Sequence, residues 1–391
     1  MSFDIPIDRR GSQCMKWDMM EALYGVNPET GIAMWVADME FQPPQCVQDA
    51  VKAMYDHGVY GYFGDDSEYR AAIRWWMKTR HGWTIDADWI FTTHGLVNGT
   101  AMCVDTFTKP GDGVVLFTPV YHAFAKVIKA NDRRVIECQM INDGGRYKMD
   151  FAAYDARMDG SARMVILCSP HNPGGRVWTR EELQGVADFA KRHDLILVSD
   201  EIHHDLVFHG HKHIPLRLAA PSATDRLIMM TAATKTFNIA GSHAGNVIIE
   251  NPALRARFNA RMTGLGSSPN SFGLRMATAA YTPAGAEWVD QRLLPYLDAN
   301  RKLFDEGVNA IPGLASMPLE ATYLAWVDFS ATGMTRREFT DRVQTGARIA
   351  VNHGPTFGSG GEDFLRFNIA APRTTIEDAV ERLSKAFADL Q

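Results

Sequence analysis

Short apolar runs alternate with longer stretches of helical periodicity through the middle of the chain, from about Trp89 to about Ile249. Residues 114–117, 164–168, 195–198 and 227–230 are uniformly apolar, as expected of strands buried on both faces of a parallel sheet. Residues 180–193 read as a helix. Thr179 and Glu182 have the spacing of a capping box, and Leu183, Val186, Ala187 and Ala190 fall on one face. Strand, helix and strand here form a βαβ unit, so the sheet is expected to be mainly parallel. After Pro295 the texture changes. Helical patterns near 296–310, 336–346 and 375–390 separate two strand-like runs, 323–329 and 364–369, the first alternating as a half-buried strand. This α+β tail predicts a smaller second domain.

Three of the apolar runs end in polar residues that carry chemistry. Ser169-Pro170-His171-Asn172-Pro173-Gly174-Gly175 follows the second run, and Ser199-Asp200-Glu201-Ile202-His203 the third. Thr234-Lys235-Thr236-Phe237-Asn238-Ile239-Ala240-Gly241 follows the last. Ligands of open α/β sheets sit beyond the carboxyl ends of the strands, so an asparagine, an aspartate and a lysine reach one rim. Pyridoxal 5'-phosphate (PLP) needs that set: lysine for the Schiff base, aspartate to keep the pyridine nitrogen protonated, asparagine for the ring hydroxyl. A carboxylate ending an apolar strand is costly unless paired with a cation, and a pyridinium supplies one. The plainer alternatives are a solvated Lys235, a helix-capping Asp200 and a turn-forming Asn172.

Other positions extend this picture. Thr93-His94-Gly95-Leu96-Val97-Asn98-Gly99-Thr100 leads into a helical segment whose first N–H groups can hold a phosphate. Tyr121 follows a strand end and can stack on the pyridine ring. Arg366, inside the apolar run 364–369, needs an anion. A substrate carboxylate and an internal salt bridge are both open.

Composition narrows the class. A chain of 391 residues, 46% hydrophobic and 22% charged with net charge −6, suits one large or two medium globular domains and argues against nucleic-acid binding. A basic-then-apolar leader and a membrane-length run are both lacking, so a cytoplasmic protein with no membrane partner is expected. The five cysteines lack C-x-x-C spacing, which predicts neither a disulfide framework nor a zinc site. His203, His204, His209, His211 and His213 likewise lack metal-ligand spacing and read as a histidine-rich surface loop without metal. His203 is the exception; three residues past Asp200, it should face the cofactor.

With these motifs the chain resembles the aspartate aminotransferase superfamily, fold type I of the PLP enzymes, over nearly its whole length. Met34-Trp35-Val36-Ala37-Asp38-Met39-Glu40-Phe41, Asp8-Arg9-Arg10-Gly11 and Lys16-Trp17-Asp18, together with histidine rather than tyrosine at 203, resemble the branch of cystathionine β-lyases and cysteine–sulfur β-lyases. The resemblance implies a mainly parallel seven-stranded sheet in a large domain (46–290) and a small domain built from 1–45 and 291–391. It implies Lys235 as Schiff-base lysine, Asp200 on the pyridine nitrogen, Asn172 on the ring oxygen and Tyr121 stacked. Gly95, Leu96 and Val97 would offer amides to the phosphate, and Thr234, His203 and His243 would also contact the cofactor. Arg366, which would hold the substrate carboxylate, would bind the substrate together with Asn172 and Tyr62. Tyr62 would reach the neighbouring subunit's cofactor, making a homodimer obligatory. His94, Ala232 and His243 depart from the family's usual proline, serine and arginine around the phosphate. The implied activity is cleavage of L-cystathionine or a related cysteine S-conjugate. An aminotransferase, and a regulatory protein with secondary lyase activity, are the alternatives.

Overall fold

A computed structural model describes residues 2–390; Met1 and Gln391, the extremes of the expected small domain, lie outside the described residues. Seven strands build the central sheet: β1 (Ile90–Thr93), β2 (Gly113–Thr118), β3 (Arg134–Gln139), β4 (Ala162–Cys168), β5 (Ile196–Asp200), β6 (Leu227–Thr231) and β7 (Gly245–Ile248). Their order is β1-β7-β6-β5-β4-β2-β3. Pairings from β6 across to β3 are parallel, whereas β7 runs antiparallel to both β6 and β1. The expected seven-stranded, mainly parallel sheet is therefore present.

The uniformly apolar runs make sense because successive side chains serve two cores. Val114, Leu116, Met164, Ile166, Val198, Ile228 and Met230 pack on one face, with α1 (Leu96–Phe107) and α2 (His122–Ala130). Val115, Phe117, Val165, Leu167, Leu197 and Met229 pack on the other, against α3 (Arg180–Arg192). The Thr179 hydroxyl accepts from the Glu182 amide while Glu182 returns a bond to the Thr179 amide. This capping box contributes about 1 kcal/mol to the start of α3.

A second, four-stranded antiparallel sheet is ordered β8-β9-β11-β10, from β8 (Ala315–Ser316), β9 (Leu324–Asp328), β10 (Asn352–His353) and β11 (Phe364–Asn368). Helices α4 (Leu294–Asn309), α5 (Arg336–Asp341) and α6 (Arg373–Ala386) accompany it, and α5 continues as a π-helical turn over Arg342–Gly346. One expectation needs correction: β9 is not half-buried, since Leu324, Ala325, Trp326 and Val327 are all fully buried. Trp326 stacks on Phe364 and donates its indole N–H to the Tyr147 hydroxyl at 2.9 Å, so the face expected to meet water meets another layer of protein.

The histidine-rich loop also differs from expectation. His209 and His211 are exposed, but His203, His204 and His213 are buried. Buried carboxylates draw the last two inward. His213 Nε2 lies 2.8 Å from Glu201, and His204 Nε2 lies 3.1 Å from Asp205. Asp205 also meets His81 Nε2 and accepts from the Trp76 indole and the Thr236 hydroxyl.

Candidate active site

Strands β4, β5 and β6 end side by side, and the residues beyond them enclose a cavity of about 230 Å³. Its walls include Asn172 after β4, Asp200 at the end of β5, His203 three residues later, and Thr234 and Lys235 after β6. From the other direction come Gly95, Leu96 and Val97 at the start of α1, Tyr121 at the start of α2, and His243. The structure thus brings together every residue the sequence assigned to the cofactor except Tyr62.

The helix start is shaped for an anion. Gly95, at φ 80°, turns the chain from β1 into α1, a conformation unfavourable to a side-chain-bearing residue. Gly245 on β7 lies so close that a Cβ there would sit 2.6 Å from Leu96 Cδ2 and 3.0 Å from the α1 backbone. The unpaired N–H groups of the first turn of α1 consequently open on the cavity, where they favour a phosphate.

Electrostatics at the cavity floor follow from burial. The Lys235 ammonium is held down to about 8, chiefly by desolvation, although Asp38 opposes the shift. Asp200 is pushed up to about 7 by desolvation, although its carboxylate accepts the Ile202 N–H at 3.1 Å. Burial keeps His203 neutral, reinforced by Lys235 and Arg366, and its Nδ1 has no partner among the described residues. Tyr121 is also raised by burial, so it stays a phenol.

Arg366, on β11, enters from the second sheet. It is 2% exposed, and donates to Asn172 Oδ1 and the Trp35 carbonyl at 2.9 Å each and to Asn352 Oδ1 at 2.5 Å. All three acceptors are neutral, and no carboxylate pairs with it among the described residues. The internal salt bridge left open by the sequence is therefore not what holds it. Desolvation pulls its pKa down to about 10, and Nε has no partner among the described residues.

Tyr62 stands apart. It is wholly exposed and lines a different groove with Tyr60, Phe63 and Arg275.

Sequence reasoning missed the supports of this cavity. Trp35 to Phe41 forms a strap that puts Ala37 in the cavity wall. The Ala37 carbonyl accepts from Lys235 Nζ at 2.6 Å and from the Tyr323 hydroxyl at 3.0 Å. Asn368 Nδ2 donates to the carbonyls of Val36 and Asp38, each at 2.6 Å, and Asn238 bonds the backbone of Met39 and Phe41. Lys16, buried, pairs with Glu40 at 2.6 Å, and Arg9 pairs with Asp38 and Glu40. The strap was legible as a family signature, but backbone acceptors leave no mark in composition or periodicity. Cys168, Phe124 and Ile202 also line the cavity and read from sequence as ordinary apolar residues.

An amine near neutrality, a buried carboxylate, an amide, an anion-binding helix start and an arginine lacking a counter-ion form a donor set that fits pyridoxal phosphate. Comparisons with known proteins agree. Residues 33–383 match the family model described as aminotransferase class I and II. The chain is 36% identical over 392 residues to cystathionine beta-lyase PatB of Bacillus subtilis, covering 99% of this chain and 100% of that protein. It is 31% identical to protein MalY of Escherichia coli, covering 98% of each. The crystal structure of cystalysin from Treponema denticola, which contains a pyridoxal 5'-phosphate cofactor, superposes with a TM-score of 0.94 at 37% identity, covering 100% of this chain and 99% of that one. Fold, cavity and full-length similarity together place the chain in the class I and II aminotransferase family, among its PLP-dependent members.

Proposed function

We propose that the chain is a PLP-dependent carbon–sulfur β-lyase that cleaves L-cystathionine or a related L-cysteine S-conjugate to a thiol, pyruvate and ammonia. The observation that carries this reading is end-to-end similarity to a protein named cystathionine beta-lyase. Fold kinship alone would not separate a lyase from a transferase.

When bound, the cofactor supplies an electron sink for charge developed at the substrate Cα. The chain's residues do the rest. Lys235 holds the cofactor covalently and, once released, accepts the Cα proton; an amine lowered to about 8 has an appreciable neutral fraction near pH 7. Asp200 keeps the pyridine nitrogen protonated, Asn172 binds the ring oxygen, and Tyr121 packs on the ring. The amides of Gly95, Leu96 and Val97, with Thr234 and His243, hold the phosphate, while His203 closes the floor. Arg366 binds the α-carboxylate through its planar fork. Once the Cα proton has gone, the outcome is decided at Cβ, where a thiolate departs far more readily than hydride or carbon.

L-Cystathionine or an S-alkyl cysteine is expected to give pyruvate and ammonia in equal amounts with no 2-oxo acid added. Turnover that depends on 2-oxoglutarate and leaves the cofactor as its amine would establish an aminotransferase instead.

We also propose a large domain over 46–290, with 1–45 and 291–391 forming the small one. A two-fold homodimer would complete the site through Tyr62. Val59, Tyr60 and Tyr62 are all more than half exposed, around a groove of about 750 Å³ suited to a subunit contact. Mixing inactive Lys235→Ala and Tyr62→Ala proteins should restore activity, because each hybrid dimer has one intact site. If subunits exchange and activity stays absent, Tyr62 serves its own chain. A cytoplasmic setting suits five free cysteines, and no helix of the described residues is long and apolar enough to cross a membrane.

A further inference from the structure

Two hydrogens reach one backbone oxygen beside the reacting lysine. Ala37 O accepts from Lys235 Nζ at 2.6 Å and from the Tyr323 hydroxyl at 3.0 Å. Both donors come from far along the chain, yet the oxygen they share is held firmly. The carbonyls on either side, Val36 and Asp38, are tied to the same Asn368 amide, and Trp35 O is tied to Arg366. Tyr323 is fully buried, one residue before β9, with its ring edge-on to His203 at 6.3 Å. A carbonyl oxygen has two lone pairs, and here each has one donor.

We propose that the Ala37 carbonyl is the resting point of the Lys235 amine whenever it is free of the cofactor, and that Tyr323 is a positioning residue that fixes this acceptor. The proposal rests on the reading of Lys235 as cofactor anchor and proton acceptor. A neutral amine has two hydrogens and one lone pair. With one N–H committed to Ala37, rotation about the terminal bond is restricted and the lone pair keeps a defined direction. As the substrate Cα–H bond breaks, its electron pair stays with carbon and the proton passes to that nitrogen lone pair. Without the Tyr323 hydroxyl the Ala37 oxygen keeps only the lysine's own N–H as a donor, its orientation is set by the flanking backbone alone, and the amine samples orientations from which the proton is out of reach. The phenol remains a donor throughout the working range, because burial raises its pKa well above the ordinary value.

Tyr323→Phe removes only the hydroxyl. It is expected to lower kcat about tenfold with KM changed less than twofold, at full cofactor content. Apo-protein remixed with PLP gives a readout that needs no turnover. Visible Schiff-base absorption should return severalfold more slowly in Tyr323→Phe, and in both proteins the rate should climb as pH rises through about 8, where Lys235 becomes neutral. Tyr281→Phe is the control, since that hydroxyl is buried without a hydrogen-bond partner among the described residues; it should leave both rates unchanged. Wild-type kcat and wild-type recovery in Tyr323→Phe would overturn the proposal, as would a raised KM at unchanged kcat. Should the variant fail to fold, a wild-type crystal structure with a bound amino-acid analogue decides the matter. Lys235 Nζ within hydrogen-bond distance of Ala37 O supports the resting point, and Nζ elsewhere refutes it. Recovery of the Schiff base does not depend on the reaction catalysed, so a protein that eliminates no thiol can still pass or fail this test.

Discussion

Lys235→Ala is expected to remove both the visible absorption of bound cofactor and all measurable pyruvate formation. Two functions are lost in one residue. The covalent anchor disappears, and so does the proton acceptor, a role worth about 10²–10⁴-fold by itself. The environment of this lysine singles it out. Desolvation lowers it to about 8, and its Nζ meets a carbonyl rather than a carboxylate. Lys16 is also buried, but its ammonium is bound to Glu40 at 2.6 Å and is not free to react. Borohydride reduction of the wild-type protein followed by peptide mapping should place the pyridoxyl group on Lys235. A label on Lys16 or any other lysine would withdraw the assignment.

Arg366→Ala is expected to cost about 2–5 kcal/mol of transition-state stabilisation, the usual loss when one member of a buried charge pair is removed. That is roughly a 30- to 5,000-fold fall in kcat/KM on L-cystathionine, with PLP content near normal. The structure supplies the reason. Among the described residues a fully enclosed guanidinium has only the neutral acceptors Asn172, Trp35 and Asn352, and its charge is compensated when a carboxylate binds. Arg366→Lys should recover little, because an ammonium cannot reproduce the planar fork. An unchanged kcat/KM in Arg366→Ala would take this residue out of the substrate site.

Much of the site was legible because its residues end apolar strands. Asn172, Asp200 and Lys235 each interrupt a hydrophobic rhythm at the point where an open sheet binds its ligand, and Arg366 stands out as a charge inside a buried strand. The capping box at Thr179 and Glu182 worked for a similar reason, since a local pairing decides a local structure. Tertiary context defeated other readings. Residues 323–329 alternate as if one side met water, but a second layer covers that side. His204 and His213 look solvated until Asp205 and Glu201, buried below them, are seen. The Ala37 carbonyl could not be read at all, because a backbone oxygen is present at every position and only folding selects one. Tyr62 is another kind of case: its expected role depends on a second chain.

The strap from Trp35 to Phe41 has a consequence for how this protein is made. Its restraints come from Lys16 early in the sequence, from Asn238 in the middle, and from Tyr323, Arg366 and Asn368 near the end. A ribosome delivers residue 37 long before residue 368, and chain segments fold as they emerge. The nascent protein can therefore assemble its central sheet, with Lys235, Asp200 and Asn172 in register, while the roof over them still lacks its last fasteners. Competence for chemistry arrives in the final tenth of synthesis. A chain cut short before β11 would retain Asn172, Asp200 and Lys235 and is still expected to be inert, because it lacks both the proposed substrate anchor Arg366 and the Asn368 amide that ties the Val36 and Asp38 carbonyls in place.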